Sequence, residues 1–210
     1  MALLVPYIAA WSREVELDPQ VLVDPGAGFR FEGEVPGDRD RFGALYRRQA
    51  IISGDRGVAQ LANVHSRRQR RCMTRMLCQV CGGPPSTTSE GMLFLDQDHR
   101  QDWSNWPEQL GTVHPPLCLP CAEESVSRCR HLRGSHVGIR VRDAQPWGVY
   151  GLQFCVGPDK RLQEVGKVEM EYGDPGLGWV LASQMIVTLN GCTLVDLDAE
   201  FAAFHGQGPR

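Results

Sequence analysis

Cys78-Gln79-Val80-Cys81-Gly82-Gly83 and, beyond a gap of 36 residues, Cys118-Leu119-Pro120-Cys121 decide how this chain reads. Two thiolates three residues apart grip one ion from a tight turn. Glycines after the first pair let backbone N–H groups point at sulfur. Four sulfurs make a closed tetrahedral site with no position left for a substrate, so the expectation is one structural zinc ion (Zn2+) on Cys78, Cys81, Cys118 and Cys121. Iron–sulfur ligation and a redox-active thiol pair are the alternatives for the same residues. The gap exceeds the roughly 15–20 residues of simple four-cysteine sites and leaves room for a hairpin and a loop.

Before the first pair, Ala62 to Met76 has no Gly or Pro and is rich in helix formers. Val64, Cys72 and Met76 fall near one face of the helix this predicts. Arg67, Arg68, Arg70, Arg71 and Arg75 crowd the same segment with no acid, and Arg67, Arg71 and Arg75 recur every four residues as a basic stripe. After the second pair, Ala122, Val126, Cys129 and Leu132 recur at helical spacing, predicting a helix over 122–132. Glu123 and Glu124 then sit in its first turn and Arg128 and Arg130 near its end, in accord with the helix dipole.

The flanks read as strands. Turn residues at Asp24-Pro25-Gly26, Pro36-Gly37-Asp38 and Ser53-Gly54-Asp55 separate short apolar runs at Val21–Val23, Phe29–Phe31 and Leu45-Tyr46. Val137, Ile139 and Val141 alternate with Gly138, Arg140 and Arg142, a half-buried strand. Gly148 to Val156 alternates likewise, with Ala144-Gln145-Pro146 as the link of an antiparallel pair. Gln163 to Tyr172 predicts a third strand. Leu177 to Leu189 reads as a helix starting after Pro175-Gly176 and ended by Gly191, or Asn190-Gly191 turns a hairpin between Met185–Leu189 and Cys192–Leu197; the helix is favoured. Asp198 to Phe204 predicts a last short helix. The expected class is α+β, with short antiparallel strands around a central four-cysteine module. Its parts are an N-terminal strand-rich segment (1–61), the Arg-rich helix with the zinc module (62–135), and a C-terminal antiparallel sheet with a helix (136–210). All three fit within one composite domain or two.

The 210 residues carry a formal net charge of −3, so general electrostatic attraction to nucleic acid is not favoured and any such affinity must come from a local basic face. Of the 22 basic residues 20 are Arg, a bias that GC-rich coding explains before phosphate recognition does. No stretch reaches the roughly 18 apolar residues of a membrane span. The start lacks the basic region of a signal peptide, and the expectation is a cytoplasmic protein whose eight cysteines are metal ligands or buried thiols. No glycine-rich phosphate loop and no nucleophile elbow occurs.

A first knuckle, a hairpin, and a second knuckle opening a helix is the order of a treble clef. With Asp98-His99 between the pairs and Leu117-Cys118 leading into the second, residues 77–132 resemble the HNH endonuclease family. The resemblance implies His99 as general base, activating water on a divalent metal. The chain departs from the family at Ala122, where His or Asn follows the last cysteine, and at Glu123 and Glu124, which replace basic residues. Asn105 stands in the Trp-rich segment Trp103-Ser104-Asn105-Trp106-Pro107, whose indoles fit against a knuckle. Of the remaining cysteines, Cys72, Cys129, Cys155 and Cys192 read as small buried hydrophobes; Cys129 with His131 and His114 is a candidate second metal site. Three functions follow. One is a zinc-scaffolded binding protein for nucleic acid or protein, with Arg67, Arg68, Arg70, Arg71 and Arg75 as its contact surface. The others are an HNH-like nuclease using His99, and an enzyme with structural zinc and a pocket between its N- and C-terminal strands. The sequence does not settle whether the chain catalyses anything.

Overall fold

The computed structural model describes residues 5–129, 132 and 134–206. Along the chain run β1 (Ala9–Trp11), β2 (Val21–Asp24), β3 (Gly28–Phe31), β4 (Leu45–Tyr46), β5 (Ala59–Val64), α1 (Ser66–Arg75), β6 (Thr87–Thr88), β7 (Gly91–Gln97) and β8 (Gly111–Thr112). They are followed by α2 (Leu119–Arg128), β9 (His136–Val156), β10 (Leu162–Glu171), a 3-10 turn (Pro175–Trp179), β11 (Val180–Val195) and α3 (Leu197–Gly206). No helix among the described residues is long and apolar enough to cross a membrane. The chain forms two compact units, one from residues 1–7, 71–146 and 187–210, the other from 8–70 and 147–186. The class is mixed α and β with mostly antiparallel pairing; β4 beside β11 is a parallel exception.

In the first unit, β6 pairs with β7, β7 with the start of β9, and β8 with the end of β11. Leu93, Leu95, Leu117, Ala122, Leu197 and Phe201 build its core together with Cys78 and Val80. In the second unit β10 pairs with the end of β9, β2 with β3, and β1 with β5. Two apolar clusters fill it: Ala44, Tyr46, Val149, Leu177, Val180 and Ala182; and Phe29, Phe31 and Leu45 with Phe154, Leu162 and Leu181. The runs at Val21, Phe29 and Leu45, the strand near Gln163–Tyr172 and the last helix are where the sequence placed them.

Four expectations are corrected. The two C-terminal strands are one 21-residue strand, β9, with no hairpin at Pro146. Pro146 falls between Val141, the last residue paired with β7, and Gly148, the first paired with β10. Its missing N–H therefore removes no bond from either ladder. Leu177–Leu189 is not the favoured helix, and Met185–Leu189 is not the arm of a hairpin; β11 runs through Asn190-Gly191. Gly191 takes φ +64°, and the Glu108 carboxylate accepts from the Gly191 and Cys192 N–H groups at 3.1 and 2.6 Å, so an irregular strand stays hydrogen-bonded. The helix expected from Ala62 starts at Ser66, because residues 59–64 form β5. Its buried side is Gln69, Cys72 and Met73, not Val64 and Met76. Met76 ends it in the left-handed conformation (φ 47°), with the Leu77 N–H on the Cys72 carbonyl at 2.9 Å. The fourth is α2, which begins at Leu119 and ends at Arg128, so Glu123 and Glu124 lie past its first turn and Cys129 is the cap, not a helix-face residue.

The second unit buries charge. Arg68 donates to both Glu14 oxygens at 2.7 and 2.6 Å and to the Ala9 carbonyl at 2.7 Å. Burial raises the Glu14 carboxyl, but Arg68 outweighs it and holds it below the usual value of 4.5. The Arg48 hydrogen bonds hold Asp38 below its usual 3.8. Burial, then the charge of Arg68, push the His65 imidazole below 6.5. A group depressed on folding contributes stability above its unfolded pKa and loses it as pH falls. Thermal melts should therefore show stability falling in two steps on acidification, first below about 6.5 from His65, then below about 4.5 from the carboxylates. Glu14→Gln should flatten the second step; a melting temperature constant from pH 7 to 4 would contradict this.

Candidate metal centre

The sulfurs of Cys78, Cys81, Cys118 and Cys121 all lie within 4.8 Å of one another. Those of Cys81 and Cys118 are 3.8 Å apart. A tetrahedron with metal–sulfur bonds of about 2.3 Å has edges of about 3.8 Å, far longer than the roughly 2.0 Å of a disulfide. All eight cysteines are free thiols. Donor chemistry and spacing together are compatible with a structural zinc site.

Short-range backbone bonds hold the two knuckles together. The Leu117 N–H donates to Leu93, Leu93 to Ser86 and Ser86 to Leu117, at 2.8, 2.9 and 2.8 Å, while Gln79 N–H reaches the Pro116 carbonyl at 3.0 Å. Gly83 folds back on Cys78 at 2.8 Å, and its own N–H points at Cys81 Sγ at 3.4 Å. Gly82 has φ +73°, and a Cβ there would stand 3.2 Å from the Tyr7 ring. Tyr7 thus covers the knuckle, with its N–H on the Val80 carbonyl at 2.8 Å. Cys118 is the N-cap of α2, so the helix N-terminus, with its partial positive charge, faces the thiols.

Four thiolates at this spacing repel one another. Burial pushes Cys78 up to about 11 and raises Cys121 further, aided by the neighbouring thiols. Cys81 moves the other way: burial opposes it, but the Gly83 N–H and the adjacent thiols win. A divalent cation removes the repulsion, which is why such sites bind metal and lose protons together.

Compared with known proteins, the chain matches no family model, no curated protein and no solved structure. Function must therefore be argued from the side chains themselves.

The five arginines of α1 divide. Arg68 is spent on Glu14, with only 11% of its side chain exposed. Arg70 donates to the Gly37 carbonyl and lies 4.3 Å over the Tyr46 ring. Arg67, Arg71 and Arg75 are exposed. His99 follows β7 on the surface, its Nδ1 2.9 Å from Asp102, while the adjacent Asp98 pairs with Arg100. Among the described residues no group of three metal ligands other than the four cysteines is brought together. For the candidate second site, Cys129 is half-buried, His114 is exposed and His131 lies outside the described residues. Cys155, expected inside, is exposed, opposite Gln163 near the end of β9. Cys72 is buried as expected and Cys192 half-buried, and burial pushes both thiols up to about 12. Trp106 is buried and Trp103 exposed, edge to face at 6.5 Å; the Trp106–Pro107 peptide is cis. The second unit also holds an apolar cleft of about 310 Å³, lined by Phe29, Phe31, Phe154 and Leu162.

Sequence reasoning placed Tyr7 with Pro6, Ile8 and Trp11 on the core without linking it to the knuckle, and missed Arg140. Arg140 is 1% exposed and donates to the Ser86 carbonyl and hydroxyl at 2.9 and 3.0 Å, just beyond the first knuckle. The apolar stretch at Pro6–Ile8 hinted at Tyr7, and the strand alternation pointed away from Arg140.

Proposed function

We propose that the chain is a zinc-scaffolded binding protein of treble-clef type that contacts nucleic-acid phosphates through the exposed face of α1. The observation that carries this reading is the state of Arg67, Arg71 and Arg75. They sit four apart on one helix, are exposed, and have no carboxylate partner among the described residues. Elsewhere Arg13, Arg39, Arg47, Arg48, Arg68, Arg100, Arg128 and Arg140 are each ion-paired. In a chain of net charge −3, three consecutive helical turns of unopposed guanidinium, rising about 6 Å per step, suit a row of phosphates.

Fluorescence anisotropy on labelled duplex and single-stranded oligonucleotides across a salt series tests it. The parent should bind with an affinity that falls steeply with salt. Arg71→Gln/Arg75→Gln should lower the slope of log K against log salt by about two on duplex DNA. Absence of binding at low salt would discard the reading. Metal-dependent cleavage of the oligonucleotide that disappears in His99→Ala would replace it with the nuclease.

A further inference from the structure

In the second unit, a cleft of about 210 Å³ opens at the start of α1. Its charged wall is Asp38, Arg47, Arg48, Arg67 and Arg70, with Tyr46, Gln49 and Ser66 as further polar lining. Three donors of this wall, Arg47 Nε, Ser66 Oγ and Arg70 Nη1, are shielded from solvent and have no hydrogen-bond partner. Ser66 is 1% exposed. Buried donors are nearly always satisfied in a folded protein, so three around one cleft call for an acceptor from outside the chain.

The side-chain acceptors of the wall are already engaged, and the Gln49 amide oxygen takes the Ser66 N–H at 2.7 Å. Asp38 is the wall's one carboxylate, and both oxygens are taken: Oδ1 by Arg48 Nε at 2.9 Å, Oδ2 by Arg48 Nη2 at 2.5 Å and by the Val35 N–H at 2.7 Å. Arg47 has a long contact of 3.4 Å with Glu16. Arg67 and Arg70 have no carboxylate partner among the described residues. Arg70 is also held still, with Nη2 on the Gly37 carbonyl and its plane over Tyr46, which leaves Nη1 unused. The first turn of α1 carries no acid, so the partial positive charge of the helix N-terminus adds to the same side.

Water would satisfy the donors but would add no negative charge beside Arg67 and Arg70, of which Arg70 shares the charge of the single Asp38 carboxylate with Arg48. An anion does both, and donors from β4's edge and two successive turns of α1 suit an anion with several acceptor oxygens. We infer that this cleft is an oxyanion site for a phosphate monoester. At about 210 Å³ it is smaller than the roughly 300 Å³ of the smallest common ligand pockets, so it takes the phosphoryl group and leaves the rest of the ligand outside. The ester is either the terminal phosphate of a nucleic acid or a free phosphorylated small molecule. The site shares only Arg67 with the exposed face of α1: phosphate binding that survives in Arg71→Gln/Arg75→Gln, while oligonucleotide binding falls, separates the two readings.

Calorimetric titration of the full chain with inorganic phosphate at constant ionic strength tests the inference. Saturable 1:1 binding is expected, weakened about tenfold or more by Ser66→Ala and by Arg70→Met. It should be unchanged in Arg161→Gln, an arginine outside the cleft's lining with 85% of its side chain exposed. Arg70 also packs on Tyr46, so Ser66→Ala, which deletes only one oxygen, is the decisive variant if Arg70→Met misfolds. Tighter binding of a 5′-phosphorylated than a 5′-hydroxyl oligonucleotide would assign the nucleic-acid end, and tighter binding of ribose 5-phosphate the small molecule. No saturable phosphate binding by the parent, or an affinity that Ser66→Ala leaves unchanged or Arg161→Gln weakens equally, overturns the site.

Discussion

The parent should purify with one zinc per chain and Cys118→Ser without it, and the first unit of the variant should lose its cooperative unfolding transition. The size of the effect follows from where the sulfurs sit. Cys78 is fully buried in the same apolar cluster as Leu93, Leu95, Leu117 and Ala122, and Cys118 and Cys121 pack against that cluster. An ion held by these sulfurs would be part of the core. Binding of a structural zinc by zinc-finger peptides is worth roughly 10–16 kcal/mol, as much as the whole stability of a typical domain, about 5–15 kcal/mol. Losing one ligand of four also leaves three thiols, two of them raised by burial, crowded with no cation between them. Cys155→Ser is the matched control: its thiol is exposed and outside the cluster, and it should keep the metal. Elemental analysis for zinc and iron, with circular dichroism melts of all three proteins, reads the result. Iron in the parent, or a metal-free parent with an unchanged melt, would make the four thiols something other than a structural zinc site.

The site was legible because its signal is local and chemical. Cys-x-x-Cys twice in one chain leaves few uses, and the four sulfurs are brought together. The helices flanking it were legible as helices but not in their bounds. Ala62–Val64 suits a helix by composition, yet β1 recruits it as a strand through the Ala9–Val64 pairing. The misread C-terminal half has the same cause. Pro146 and Asn190-Gly191 are turn signals in isolation. Each sits where a neighbouring element has made the break harmless, Pro146 between two ladders and Gly191 against the Glu108 carboxylate. Nothing near 146 or 190 in sequence announces those partners. The arginines were read as one basic face, but periodicity does not reveal that Glu14, 54 residues upstream of Arg68, lies beneath that arginine. The cleft at Ser66 was invisible for the same reason, since its walls come from residues 17–49 and 66–70.

Arg140→Met should destabilise the first unit by about 3–5 kcal/mol and loosen the metal. Strand alternation assigned Arg140 to solvent; instead β9 is covered on both faces there, and residues 137–141 are all buried. The guanidinium joins three segments. Nε and Nη2 bind the Glu200 carboxylate of α3 at 2.9 and 2.5 Å, while Nη1 and Nη2 bind Ser86 next to the first knuckle. Removing the cation strands the Ser86 hydroxyl, whereas the Ser86 carbonyl keeps the Leu93 N–H, and it strands a carboxylate whose side chain is 22% exposed; Met cannot donate to either. Glu200→Gln keeps an acceptor near the guanidinium and should cost less, about 1–3 kcal/mol. The double change Arg140→Met/Glu200→Leu tests which term dominates. If the penalty is mainly an unpaired carboxylate, the double variant recovers much of the loss; if it is the unsatisfied Ser86, it does not. Urea unfolding of the zinc-loaded proteins gives the energies. Competition with a chelator should show faster metal loss for Arg140→Met than for Glu200→Gln, because only Arg140 touches the Ser86 segment that hydrogen-bonds Leu117 beside Cys118. Equal rates in the two variants would mean that the arginine serves the packing of α3 alone.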